Sequence, residues 1–279
     1  MNLSTRTNAG QESGVLALLD ADIIQGFLAK QGVDQGYRID VLQSITSTND
    51  YLAGLEGLEP GEIVVCVAEH QTRGKGRFGH HWWSPPGVNL YLSVRWPAQP
   101  WRTQDETLGL WMLVAFARLL ETLGVEGIRL KWPNDICSES GKLGGILIER
   151  VPGSSSGCLV AGVGLNIAMS WTGDFQAQPG WTDLVSLQPG WKTCKNELAA
   201  HVIRTLTGML ARFDRGSLGN IEHAWNPYDL MRDRKVGFIF QDQDMSGVVQ
   251  GIDEQGRIMI RVKGETLHLH STHVHDIRL

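Results

Sequence analysis

Two runs of alternating, β-branched residues, EIVVCVAEHQ and VNLYLSVRW, read as strands. The stretch between them, TRGKGRFGHHWWSPPG, can continue neither a strand nor a helix. Gly74, Gly76, Gly79 and Gly87 leave the backbone free, and Pro85-Pro86 cannot sit inside a helix. The letters from Gly74 to Gly79 fit G-x-G-x-x-G, the dinucleotide-binding fingerprint. That fingerprint works only when a helix follows at once and an acidic residue stands about twenty positions further on. Here the glycines run into HHWWSPPG, and the later region reads RWPAQPW, so the dinucleotide reading fails. A phosphate-binding loop of the form G-x-x-x-x-G-K-[ST] fails at both ends. What remains is a glycine loop that alternates with Lys75 and Arg77 among aromatic and imidazole rings. Glycine lets the backbone approach a ligand and offers its N–H groups, and arginine presents a fork to phosphate or carboxylate. Such a loop can close over an anion.

The rest of the chain alternates helical and strand patterns. GVLALLDADIIQGFLAKQG has helical spacing, YRIDVLQSI reads as a strand, and STNDYLAGLEGL as a helix capped by Ser47 or Thr48. DETLGLWMLVAFARLLETLG is the longest helical pattern. IRLKW, a short segment near Cys137, KLGGILIER and CLVAGVGLNIAM follow as strands, and SWTGDFQAQPGWTD as a polar loop. NELAAHVIRTLTGMLARFD and LGNIEHAWN read as helices. From Val236 the texture changes to short strands with turns at DQDMSG, DEQG and KGE, enough for a small β-barrel. This divides the chain into a flexible N-terminus at 1–14, a large mixed unit at 15–232 and a small all-β unit at 233–279. A net charge of −5 gives no general reason to expect nucleic-acid binding, and no apolar run is long enough to span a membrane. The start has no apolar signal-peptide core. Cys66, Cys137, Cys158 and Cys194 are widely spaced, which suggests reduced thiols in a cytoplasm.

Other clusters carry chemistry only in combination. Lys131-Trp132-Pro133-Asn134-Asp135 places a cation, an amide and an acid around a proline turn, although PND makes a plain turn readily. Lys142 opens KLGGIL beside two glycines and is a candidate partner for a phosphate or carboxylate. GVGLN, Gly162 to Asn166, repeats the motif of small residues followed by an amide. His268, His270, His273 and His275 crowd the C-terminus, but no acid or thiol is spaced in sequence to complete a metal site, and none is expected.

Taken in order, these segments resemble the biotin protein ligases. The runs that carry the likeness are STN at 47–49, AEHQTRGKGRFGHHWWSPPGVNLYLS at 68–93, KWPNDI at 131–136, KLGGILIE at 142–149, GVGLNI at 162–167 and GW at 180–181. The resemblance implies an α/β fold: a mixed sheet flanked by helices, plus a small C-terminal SH3-like barrel. It implies formation of biotinyl-5′-AMP from biotin and ATP with Mg²⁺. Transfer to one lysine of a biotin carboxyl carrier protein would follow. Residue by residue, it casts Ser47, Thr48, Asn49 and Gln71 around the ureido ring of biotin, together with the loop residues Gly74, Lys75 and Gly76. Trp82 would pack on the apolar tail, with room left by Gly145 and Gly162. Arg77 would hold the adenylate, and Lys142 would touch both the biotin carboxylate and the phosphate. Lys131, Asn134, Asn166 and Trp181 fall to the ATP side, and Asp135 to the acceptor lysine, with Arg77, Lys142 and Asp135 as the catalytic set.

The sequence departs from the common family loop G-R-G-R-x-G-R in having Lys at 75 and His at 80. Before Tyr37 it offers one helix with mixed charge, so a DNA-binding domain is not expected. The nearest alternatives are a lipoate or octanoate ligase, for which KWPND and GKGRFG fit poorly, and a biotin-sensing repressor.

Overall fold

The structure is a computed structural model that describes residues 16–33, 37–59, 61–97, 107–152, 157–171 and 180–279. The expected flexible N-terminus at 1–14 and most of the polar loop after Ser170 fall outside these residues. Seven strands form one sheet in the order β1-β2-β3-β7-β6-β5-β4. They are β1 (Arg38–Leu42), β2 (Val64–Ala68), β3 (Asn89–Pro97), β4 (Arg129–Lys131), β5 (Asp135–Ser138), β6 (Gly141–Val151) and β7 (Cys158–Asn166). Only β1 and β2 are parallel; every other neighbouring pair is antiparallel.

The two-residue period of the strands sorts the core. Val65 and Val67 of β2, and Leu90, Leu92 and Val94 of β3, point to one face. There they meet the helices α1 (Ala21–Lys30), α3 (Leu108–Thr122) and α5 (Lys195–Asp214). Phe116 and Met112 of α3 and Ile203 and Leu206 of α5 are fully buried there. Burial of such a side chain contributes about 1.5–3 kcal/mol. Val64 and Cys66 point to the opposite face, where Val160 and Leu52 of the short helix α2 (Thr48–Ala53) cover them. The six-residue α2 packs mainly on β2, β3 and β7. Beyond it the same face of β6 and β7 lies open, and this opening becomes the site.

The N-terminal helix is shorter than its spacing suggests. The periodic run starts at Gly14, yet α1 begins at Ala21, because the Asp20 side chain caps the Ile23 N–H at 3.0 Å. Leu16 and Leu19 are buried ahead of it in non-helical chain, and the Leu19 N–H donates to Glu69 Oε1 at 2.6 Å. Beyond Trp171, Asp183 caps a helical turn, α4 (Leu184–Leu187), that the sequence pattern did not reveal. After α6 (Ile221–Trp225), strands β8 (Lys235–Phe240), β9 (Gln243–Ile252), β10 (Ile258–Val262), β11 (Glu265–Leu269) and β12 (Val274–Arg278) form a five-stranded antiparallel sheet. It docks through the β9–β10 turn, where the Trp132 indole N–H donates to Gly256 O at 3.0 Å. Gly256 has φ +75°, and a Cβ there would lie 2.7 Å from Leu110, so this turn needs glycine on both counts. Among the described residues, no helix is long and apolar enough to cross a membrane.

Candidate functional site

The glycine loop folds as a short hairpin arm. Trp82 N donates to Gly74 O at 2.8 Å, Gly76 N donates to His80 O at 2.7 Å, and Lys75 bridges His81. A turn of 3-10 helix at Arg77–Gly79 closes the tip, with Phe78 and Gly79 at positive φ. Gly74 is obligatory in this arm: a Cβ there would lie 2.4 Å from Trp82 O and 2.6 Å from Ser84 Oγ.

The arm lies over the open face of the sheet and makes a narrow cleft of about 50 Å³. Ser47, Thr48 and Asn49 at the start of α2, Gln71, Lys75 and Gly76, Trp82, Asn134, Lys142, Gly145 and Gly162 all line it. The sequence resemblance placed each of these residues at a ligand. It passed over Ile146, Leu147, Val163 and Gly164, which complete the walls.

One end of the cleft is polar. Ser47 Oγ caps α2 by accepting from Asp50 N at 3.5 Å. Gln71 Oε1 accepts from Thr48 N at 2.9 Å, and Gln71 Nε2 donates to Ser84 Oγ at 3.1 Å. Gln71 thus fixes the start of α2 against the base of the arm. Behind Thr48, the Asn49 side chain sits between Ser93 and Glu149. Gly162 makes room for it: a Cβ there would lie 2.1 Å from Asn49 Oδ1. Gly162, expected to clear space for a ligand tail, lines the cleft, and its missing Cβ also gives Asn49 its place. Gly164 instead faces the Trp82 ring, which a Cβ would meet at 2.6 Å.

The other end is cationic. Lys142 Nζ lies 2.7 Å from Asp135 Oδ1 and 5.2 Å from the centre of the Trp82 ring. Asp135 and Lys142 stand on the antiparallel strands β5 and β6, whose register shifts just there, between Ile136 and Cys137. The Trp82 indole Nε1 is buried with no hydrogen-bond partner among the described residues. Lys75 pairs with Asp50 at 2.5 Å, and that hydrogen bond raises its pKa.

Six expected residues stand apart from the cleft wall: Gly74 and Asp135, placed above, and Asn166, Trp181, Lys131 and Arg77. Asn166 spends its amide on Thr182 O at 3.1 Å and Lys142 O at 3.4 Å. It thereby holds the segment carrying Trp181 against β6, where Trp181 bridges Lys142 through backbone. Lys131 lies opposite Asp135 on β4 and lines neither the cleft nor the cavity that adjoins it at Asn134. Arg77 lines a second cavity of about 300 Å³, which shares Asn134, Ile146 and Leu147 with the first. There its guanidinium donates to Ser271 O of the C-terminal sheet at 2.5 Å. Burial lowers the pKa of Arg77, and Asp135 opposes that shift.

The base of the arm rests on a buried ion pair between Lys195 Nζ, the first residue of α5, and Glu69 Oε2. Lys195 also donates to Gly87 O at 3.2 Å, and Gly87 N donates to Glu69 O at 3.0 Å, which ties both ends of the arm together. At the C-terminus, His268 Nδ1 meets Asp253 Oδ2 at 2.8 Å, and Arg257 meets it at 2.7 Å. Strand pairing thus supplies the carboxylate that sequence spacing did not show, but Arg257 occupies it. Among the described residues, no cluster of three metal-ligating side chains exists.

A family model described as "Biotin/lipoate A/B protein ligase family" matches residues 41–166. The chain is 36% identical over 245 residues to the bifunctional ligase/repressor BirA of Escherichia coli, covering 86% of this chain and 75% of that protein. It is 31% identical over 244 residues to the biotin–[acetyl-CoA-carboxylase] ligase of Mycobacterium tuberculosis, covering 85% of this chain and 88% of that one. Its fold is similar to a biotin protein ligase from Aquifex aeolicus in complex with biotin and ATP. That match has a TM-score of 0.69 at 21% identity and covers 86% of this chain and 98% of the other.

Proposed function

Because the chain belongs to the biotin protein ligases, within the biotin/lipoate protein ligase family, we propose that its cleft carries out ATP-dependent ligation of biotin to protein with the following division of labour. One observation carries the assignment: a single narrow cleft has buried hydroxyl and amide groups at one end, an indole and bare glycine backbone along its wall, and an ammonium at the other end. A bicyclic urea with an apolar chain and a terminal carboxylate has the same sequence of chemistries. Ser47 and Thr48 read the urea. Trp82 and Gly164 flank the chain, and Lys142 receives the carboxylate.

In the first step a carboxylate oxygen of biotin attacks the α-phosphorus of ATP, a P–O bond breaks, and pyrophosphate leaves. Two anions must meet, so fixed cations stabilise the transition state most. Lys142 is in place, and Arg77 reaches the phosphate by exchanging the Ser271 carbonyl for it. Mg²⁺, when bound with ATP, would add positive charge against the charge that develops on the phosphates. Trp181, held beside Lys142, and Asn134 take the nucleoside side. In the second step the acceptor amine attacks the acyl carbon, the C–O bond breaks, and AMP leaves. Asp135, once Lys142 has turned to the ligand, accepts the amine proton. The acceptor is a lysine of a biotin carboxyl carrier domain. We take residues 15–232 as the catalytic unit and 233–279 as its small companion, a division supported by their separate sheets.

The test is to mix the purified protein with ATP, Mg²⁺, biotin and a carrier domain and to weigh the carrier. One added biotinyl group on a single lysine is expected. Attachment of lipoate or octanoate in its place overturns the assignment.

A further inference from the structure

A row of hydrogen bonds runs from the cleft into the protein behind it. Thr48 Oγ1 lies 2.7 Å from Ser93 Oγ, Ser93 Oγ lies 2.6 Å from Asn49 Oδ1, and Asn49 Nδ2 lies 2.6 Å from Glu149 Oε2. Thr48, Asn49 and Ser93 are buried, and Glu149 is half-buried on β6. Neither Ser93 nor Glu149 lines the cleft.

Donor and acceptor chemistry fixes the direction of this row. A carboxylate only accepts, so Asn49 must turn its Nδ2 to Glu149 and its Oδ1 to Ser93. An amide oxygen also only accepts, so the Ser93 proton is committed to Asn49. Ser93 Oγ can then only accept from Thr48. The Thr48 proton goes to Ser93, or to Gln71 Oε1 at 3.2 Å, and in both cases it stays inside the protein. Thr48 is left with lone pairs facing the cleft. Its neighbour Ser47 is the opposite: its oxygen accepts from Asp50 N, and its proton is left for the cleft among the described residues.

We propose that Glu149 is a positioning residue which, through Asn49 and Ser93, holds Thr48 as a hydrogen-bond acceptor, so that Thr48 and Ser47 together select an adjacent N–H and C=O on the ligand ring. The inference rests on the biotin reading, since a cyclic urea presents that pair of groups. It also accounts for Gly162, whose missing Cβ gives Asn49 its place in the row. Without Glu149, Asn49 keeps only Leu147 O at 3.4 Å, too long to fix its orientation firmly. A turned Asn49 would donate to Ser93 and Ser93 to Thr48, which would occupy one Thr48 lone pair and leave only Gln71 Oε1 at 3.2 Å to keep the Thr48 proton out of the cleft.

The experiment is calorimetric titration of wild type, Glu149→Leu and Glu149→Gln with biotin and with the two analogues that carry CH₂ in place of one or the other ring N–H. Wild type should prefer biotin over one analogue by about tenfold, the worth of one buried hydrogen bond. Glu149→Leu should bind biotin about tenfold more weakly and that analogue unchanged, so the preference collapses. Glu149→Gln, whose amide oxygen can accept the same bond, should keep the preference within about threefold. A preference is a ratio within one sample, so partial misfolding of a variant does not alter it. Retention of the preference in Glu149→Leu overturns the proposal, as does an equal loss for biotin and both analogues. Should wild type fail to take up biotin, the functional reading falls and the proposal with it; failure confined to the variants removes the proposal alone.

Discussion

Lys142 and Asp135 face each other across the β5–β6 pair with Nζ 2.7 Å from Oδ1, so the ammonium assigned to the first step holds the carboxylate assigned to the second. Each group can act only when the other is released, which orders the two half-reactions. Removal of each should therefore fail at a different stage. Lys142→Met should cut pyrophosphate release by about 10²–10³-fold, the usual loss of one transition-state charge partner. Asp135→Asn should leave pyrophosphate release within about threefold and slow transfer to the carrier by about 10²-fold. Pyrophosphate release and carrier mass, measured on the same samples, separate the two; equal loss of both in Asp135→Asn would sink the ordering.

Arg77 makes a different contribution, because its guanidinium is docked on Ser271 O rather than inside the cleft. Arg77→Gly should still release pyrophosphate but should hold biotinyl-AMP poorly. The escaped anhydride would then acylate bystander lysines. Arg77→Lys should leak as well, since lysine keeps the charge and loses the planar fork. Mass spectrometry of an added bystander protein reads this directly. Labelling no higher than wild type counts against a retaining role.

Much of this site is legible in local sequence, because local chemistry determines it. The glycines of the Gly74–Gly79 arm and the Pro85-Pro86 that follows mark a loop in the sequence itself. Ser47 is a cap wherever a helix follows it, and β2 and β3 announce themselves by alternation. What escapes the sequence is contact across distance. Nothing local links Glu69 to Lys195, Asn49 to Glu149, or His268 to Asp253. Only the sheet register places Leu147 opposite Gly162, and so brings Glu149 onto the face that carries Asn49. The start of α1 is only partly local: Asp20 caps it, but the Leu19 N–H just ahead of it donates to a carboxylate that lies far along the chain.

The two glycines of β7 should separate fold from function. At Gly164 an added Cβ meets the Trp82 ring on the cleft wall at 2.6 Å, and the ring can shift only into the ligand's space. Gly164→Ala should therefore weaken biotin by about five- to 150-fold, equivalent to an overpacking cost of about 1–3 kcal/mol, with ATP affinity nearly unchanged. At Gly162 the added Cβ meets a buried hydrogen-bonded side chain at 2.1 Å, so Gly162→Ala should lower the melting temperature as well. Titration with each ligand alongside a thermal melt checks both; a normal biotin affinity in Gly164→Ala would contradict the assigned wall.

The Lys195–Glu69 pair tests how the arm is anchored. Both side chains are buried, and burial lowers the pKa of Lys195 while Glu69 opposes that shift. Lys195→Met strands a buried carboxylate and should cost about 3–5 kcal/mol of stability. The double variant Lys195→Met with Glu69→Gln removes the stranded charge, keeps an oxygen for the Leu19 N–H, and should recover most of that loss. Urea denaturation of the three proteins decides it: a double variant no more stable than the single would show that the charge is not the cost.

The C-terminal sheet carries a pH dependence of its own through Asp253. Burial alone would push this carboxyl up, but the hydrogen bonds from His268 and Arg257 outweigh it and hold the pKa below the ordinary 3.8. A carboxyl whose folded pKa is depressed adds stability that is fully present above its unfolded value and is lost as pH falls through the folded one. Wild type should therefore melt higher than Asp253→Asn at neutral pH. The gap should persist down to about pH 4 and close as the pH drops further, because protonation then removes the same ion pairs that the substitution removes. Melting curves of both proteins from pH 7 downwards measure this gap. A gap that stays constant through the acid range would mean that Asp253 stabilises the turn through shape and its neutral hydrogen bonds to Gln255 N and Arg257 N, both at 3.0 Å, and not through charge.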